Sequence, residues 1–151
     1  MIAYLDSSVL VRAYLVDESG HEEVRLLLED PGVAAVTGSW TRVEVSGALV
    51  RAVRSGGRAA ASVDLEGLLE SLDQDLGAAG PVTLLAAPQA KVEQEALRLV
   101  RAHGLRAMDA WHLAVANLTV PPLLEPGEEM AFASRDEDQR AVAEALGFRP
   151  M

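Results

Sequence analysis

Four carboxylates carry the chemical interest of this chain: Asp6, Glu44, Asp109 and Asp136. Asp6 directly follows the apolar run of residues 1–5, and Asp136 comes three residues after the run 130–133. If both runs are strands of a parallel sheet, both acids project from its carboxyl edge, where open α/β sheets bind their ligands. Glu44 lies about one and a half turns into a stretch of helical periodicity, among Val43, Val45 and Gly47. Asp109 opens an Ala-rich segment that reads as buried, and a lone carboxylate there is costly unless paired or metal-bound. Four such groups brought together repel each other, and some would hold their protons at neutral pH. A hard divalent cation, Mg²⁺ or Mn²⁺, takes oxygen ligands and removes the conflict. Such a site can activate water and hold a phosphodiester for in-line displacement. The plainer alternative treats Asp6 and Asp136 as helix caps, Asp109 as a first-turn helix charge and Glu44 as a surface residue.

The elements that must position these acids alternate between strand and helix. Residues 1–5 read as a buried strand and 8–16 as a helix, broken by Asp17, Glu18, Ser19 and Gly20. A second helix covers 21–29 with Val24, Leu27 and Leu28 inward, and Asp30-Pro31-Gly32 turns the chain into a strand over 33–37. Ser39 is placed to cap a helix over 40–54, along which Val43, Gly47 and Val50 recur at helical spacing with Ala48 beside them. Ser55-Gly56-Gly57 stops it, and a further helix is expected over 58–76. Residues 82–85 form a third strand. Pro88 opens a helix to residue 102, a position where proline is tolerated, and another helix covers 106–117. Residues 119–129 hold three prolines and three glutamates and read as an irregular loop. A fourth strand over 130–133, a last helix to Leu146 capped by Gly147, and a short strand at Phe148 and Arg149 complete the chain. The expected fold is α/β, a three-layer sandwich in which helices cover a central parallel sheet of four to five strands. A chain of 151 residues without repeats or linkers is expected to form one domain, 1–151.

Several functional classes drop out. Half the residues are hydrophobic and 4% are aromatic, which excludes a disordered chain. No apolar run is long enough to cross a bilayer, and the first residues lack the basic and cleavage features of a signal peptide, so the expected place is the cytoplasm. Cysteine is absent, which excludes disulfides and thiolate zinc sites. The net charge is −10, with one Lys and twelve Arg, the reverse of the basic balance usual for gripping long nucleic acid. A receiver domain needs an acceptor Asp after the third strand and a later Lys, which residues 82–88 and their sequel do not supply. An Asp-nucleophile phosphotransferase needs a second acid at the position of Ser8.

Secondary candidates surround the four acids. Ser8 and Ser134 could hydrogen-bond a site carboxylate, although capping is the simpler role. Asp138 could act through a water, but fits a first-turn helix charge. His112 shares a helix face with Asp109, three residues away, and could shuttle a proton. On so apolar a helix a satisfied core histidine is the plainer reading. Arg12 could meet a phosphate. Trp40 and Trp111 suit packing or interface anchoring better than base stacking.

Together the four segments resemble the PIN-domain family, most closely the VapC-type ribonuclease toxins of toxin–antitoxin pairs. Tyr4-Leu5-Asp6-Ser7-Ser8 is similar to the family's first motif and Ser39 to Glu44 to its second. Arg106-Ala107-Met108-Asp109-Ala110-Trp111-His112 is similar to the third, and Ala133-Ser134-Arg135-Asp136 to the fourth. Their order and spacing span nearly the whole chain. The resemblance implies a Mg²⁺- or Mn²⁺-dependent ribonuclease with Asp6, Glu44, Asp109 and Asp136 as the acidic metal site. It further implies a structured RNA substrate such as tRNA or rRNA, products with 5′-phosphate ends, a homodimer and a small cognate antitoxin. A catalytically silent module of the same fold, acting through protein partners, is the alternative.

Overall fold

The computed structural model describes residues 1–55 and 64–151. Its centre is β1 (Ile2–Leu5), every residue of which is buried. Side chains alternate across the strand, so Ile2 and Tyr4 serve one core while Ala3 and Leu5 serve the other. A strand apolar on both sides suits only the middle of a helix-covered sheet. Parallel neighbours flank it: β2 (Ala34–Gly38) on one side and β4 (Met130–Ala133) on the other, with β3 (Val82–Leu85) and β5 (Arg149–Pro150) at the edges. The order β3-β2-β1-β4-β5, parallel throughout, confirms the expected α/β three-layer fold.

Seven helices are present among the described residues: α1 (Ser7–Leu10), α2 (His21–Glu29), α3 (Trp40–Ser55), α4 (Leu65–Asp75), α5 (Gln89–His103), α6 (Ala107–Thr119) and α7 (Glu137–Ala145). One core packs α5, α6 and α7 on the Tyr4 face through Leu99, Leu113 and Val142. The other packs α1 to α4 on the Leu5 face through Leu10, Leu28, Leu49 and Leu72. Each large apolar side chain buried this way contributes roughly 1.5–3 kcal/mol. On the first face Tyr4 stacks on Phe132 with ring centroids 5.3 Å apart, and Phe148 meets Phe132 edge-on at 6.0 Å.

Chain order explains where a site can form. From β1 the chain steps outward to β2 and β3, then returns to the opposite side of β1 for β4 and β5. The crevice between β1 and β4 is therefore the switch point, the usual ligand position in such sheets. Register pairs Leu5 with Ala133, so Asp6 and Ser134 leave the sheet side by side. The Asp6 N–H still donates to the Ala133 carbonyl at 3.0 Å.

Several expectations are corrected. The helix expected over 8–16 is one turn of α-helix followed by a 3-10 turn, Val11–Ala13, because Tyr14 and Ala13 turn inward to the core. The inner face of α3 is Thr41, Val45 and Leu49, whereas Val43 is 60% exposed. The Val/Gly spacing was equally helical on two faces, and the sheet selects the one reaching Leu5. Residues 119–129 include a short 3-10 turn, Pro121–Leu123, where proline sits in its tolerated first positions. Gly56, Gly57 and the first part of the helix expected from residue 58 lie outside the described residues.

Candidate active site

Asp6 is 5% exposed at the end of β1. Its Oδ2 accepts the Ser8 N–H at 3.1 Å and so caps α1, while Oδ1 faces the His112 Nε2 at 3.6 Å. Asp136 likewise caps α7, with Oδ1 accepting the Gln139 N–H at 2.9 Å. Capping and ligation are therefore not alternatives for these residues, since a cap occupies one lone pair of a carboxylate and leaves others.

Glu44 comes from α3 and meets His112, whose Nε2 lies 2.5 Å from Glu44 Oε2. His112 is buried, and its other ring nitrogen, Nδ1, lies 3.1 Å from the Tyr4 hydroxyl. A carboxylate only accepts, so the proton belongs on Nε2, leaving Nδ1 to accept from the tyrosine. Burial pushes the Tyr4 phenol well above its ordinary range, reinforced by the nearby Asp6 charge, so it stays a donor. Burial also pulls Glu44 upward, but the hydrogen bond from His112, with another from Ser7, outweighs it and holds Glu44 below its usual range. Gly38 makes room for this chain of contacts: a Cβ there would stand 2.8 Å from the Tyr4 hydroxyl.

Asp109, in the first turn of α6, is half-buried. Burial raises its carboxyl above the usual range, and the Asp136 and Asp6 charges raise it further against weaker help from Arg106. Three acids from β1, α6 and the β4–α7 junction thus feel one another. Asp109, Asp136 and Asp6 have no Lys or Arg within ion-pair distance among the described residues. Their immediate support is neutral. Ser134 Oγ accepts the Asp136 N–H at 3.0 Å and meets Gln139 Oε1 at 2.5 Å, while Gln139 Nε2 donates to the Asp109 carbonyl at 3.1 Å.

All four sequence-derived acids therefore reach the carboxyl edge, with Asp6 and Glu44 joined through His112 and Asp109 coupled by charge to Asp6 and Asp136. Among the described residues no three His, Asp or Glu side chains stand close enough together to enclose a metal ion. The donor set nonetheless fits a hard cation: it is all oxygen, and at Asp109 burial and the neighbouring acids outweigh the help of Arg106. His112 belongs to the site although its apolar helix suggested a core role, and it fills both roles. Its signal was the three-residue spacing from Asp109 on one helix face. Gln139 carried no comparable signal. Ser134 Oγ bonds the Asp136 backbone N–H and the Gln139 amide instead of a site carboxylate, Ser8 Oγ accepts the Arg135 N–H at 3.2 Å, and Ser7 helps hold Glu44 below its usual range. Asp138 is exposed on α7. Trp40 and Trp111 line a small cavity of about 200 Å³ beyond the end of β3, with Trp40 half exposed.

Residues 3–145 match the PIN domain family, and the chain belongs to that family. Its members are generally metal-dependent nucleases that act on RNA. No match was found among curated proteins. No helix of the described residues is long and apolar enough to cross a membrane.

Proposed function

We propose that this chain, as a single domain, is a divalent-metal-dependent endoribonuclease with Asp6, Glu44, Asp109 and Asp136 as its metal-binding and catalytic residues. The observation that carries the reading is the gathering of these acids at the β1/β4 edge, where burial and then the Asp136 and Asp6 charges raise the Asp109 carboxyl and no Arg or Lys lies within ion-pair distance among the described residues. Bound Mg²⁺ or Mn²⁺ would neutralise that charge, lower the pKa of a bound water and offset charge developing on the phosphodiester. Asp6, Asp109 and Asp136 would hold the ion. Glu44, kept ionised by His112, completes the site or orients the attacking water. His112 acts as a positioning residue: it aims Glu44 and is itself aimed by Tyr4.

The finer biological role follows the motif resemblance: the toxin of a toxin–antitoxin pair, dimeric, cytoplasmic, held by a small cognate antitoxin and directed at tRNA or rRNA. A site that binds no metal would instead mark a silent module acting through protein partners. The test incubates purified protein with total RNA and Mn²⁺ or Mg²⁺, beside Asp6→Asn and Asp109→Asn. Wild type should cut and leave 5′-phosphate ends, and chelator or either substitution should stop it. Cleavage that survives chelator, or that the variants match, sinks the nuclease reading. Absence of a short antitoxin-like neighbouring reading frame would weigh against the toxin role alone.

A further inference from the structure

We propose that a cavity beside the carboxylates, lined by Arg12, Arg135 and Arg140, is a phosphate subsite that grips the RNA strand next to the scissile bond. The proposal rests on the nuclease reading for its substrate.

With a net charge of −10 and thirteen basic residues in the whole chain, three guanidinium groups around one cavity of about 440 Å³ run against the overall charge. That volume falls in the range of small-ligand sites. Val24 and Leu27 supply an apolar floor, and Glu23 is the acidic side chain on the wall, which leaves the cavity net positive. Arg12 lies in the 3-10 turn after α1, with its Nε buried and without a hydrogen-bond partner among the described residues. Such a group is costly unless something accepts from it. Arg140 spends Nη1 on the Ser134 carbonyl at 2.7 Å and keeps its remaining donors. Neither Arg12 nor Arg140 forms an ion pair among the described residues, and exposed Arg135 reaches only Glu18, at 3.7 Å.

Position selects the ligand. Ser134 forms part of the cavity wall and also accepts the Asp136 N–H, while Ser8 links the Arg135 N–H to the turn that Asp6 caps. The cavity thus adjoins the acidic edge of the β1/β4 switch through Ser134 and through the Ser8–Arg135 contact. A strand whose scissile phosphate lies at the acids must place its next phosphate close by, and carboxylates alone would repel it. Guanidinium forks match phosphate oxygens in pairs, which a lysine does not.

The test measures binding of a short fluorescein-labelled oligoribonucleotide with Ca²⁺ in place of Mn²⁺, across a salt series. Arg12→Ala and Arg140→Ala should each weaken binding on the order of ten-fold and flatten the log–log salt slope by roughly 0.7. Arg12→Lys should keep the slope while losing part of the affinity. Arg98→Ala, on the outer face of α5, should match wild type. Thermal melting establishes that each variant is folded, and Arg12→Lys covers the case in which Arg12→Ala is not. Inorganic pyrophosphate should displace the strand better than poly-glutamate does. Unchanged affinity and slope in both folded alanine variants would overturn the subsite, and so would more effective displacement by poly-glutamate, which would assign the cavity to an acidic protein segment. Arginine-dependent binding without any cleavage would keep the cavity and discard the nuclease reading. Cleavage with arginine-independent binding would do the reverse.

Discussion

The β1 side and the β4 side of the acidic site hold their charge in different ways. On the β1 side, Asp6 and Glu44 face one imidazole, and that imidazole is locked by Tyr4 in a buried pocket that only glycine at position 38 leaves open. On the β4 side, Asp109 and Asp136 have backbone and neutral side-chain support but no cation within ion-pair distance among the described residues, and Asp109 is driven toward protonation. The first half is complete as folded protein. The second remains electrostatically unfinished until a positive charge arrives. A buried network that satisfies its own members gives position, and a cluster left repelling gives affinity for a cation.

Substitutions should separate the halves, beginning with the ion-holding acids. Asp6→Asn and Asp109→Asn should lower RNA cleavage on the order of 10³-fold in a gel assay with saturating Mn²⁺. Loss of less than ten-fold would show that these carboxylates do not carry the chemistry. His112→Ala should cost about 10- to 100-fold, mainly by weakening metal affinity, so that raising Mn²⁺ recovers part of the rate. It should also lower thermal stability, because Tyr4 and Glu44 lose their partner. A variant equally impaired at every Mn²⁺ concentration would place His112 in the chemical step itself. Gly38→Ala should destabilise the fold by roughly 1–3 kcal/mol in denaturant unfolding, as the new Cβ drives the Tyr4 hydroxyl away from His112. An unchanged midpoint would mean that Tyr4 can move without loss.

The smallest effect distinguishes the halves best. Asp109 has a raised carboxyl in the folded state, so its ionisation opposes folding: stability is fully present below its ordinary pKa and is lost as pH rises through the raised one. Asp109→Asn should therefore raise the melting temperature of metal-free protein at neutral pH by about 1–3 °C, a modest gain because the group is only partly buried. The gain should vanish on acidification below the ordinary carboxylate range. A neutral or destabilising effect at neutral pH would mean that the repulsion is already relieved.

Much of this was legible in the chain. Apolar runs broken by helical stretches dictate a parallel sheet, and acids placed just after two such runs must emerge at one edge. The register Leu5↔Ala133 makes that convergence concrete. What the sequence hid follows from packing. The face of α3 was ambiguous because small apolar residues recur on two sides of it, and only contact with β1 selects Val45 over Val43. Apolar density after Ser8 overstates the early helix, because it reflects the inward turn of Ala13 and Tyr14 and not helical repetition. His112 looked like core because its neighbours are core; its ligand-aiming contact depends on Glu44, 68 residues away. Arg12 carries a weak sequence hint of a phosphate contact and Arg140 none, and only the fold sets both around one cavity with Arg135.

Calorimetric titration of metal-free protein with Mn²⁺ tests the central claim most directly. Wild type should bind saturably with proton release, more weakly as pH falls, because Asp109 must give up its proton. Asp6→Asn and Asp109→Asn should lose that binding while remaining folded. No saturable binding to wild type, or binding that Asp109→Asn retains at full strength, would contradict a cation gathered by these carboxylates.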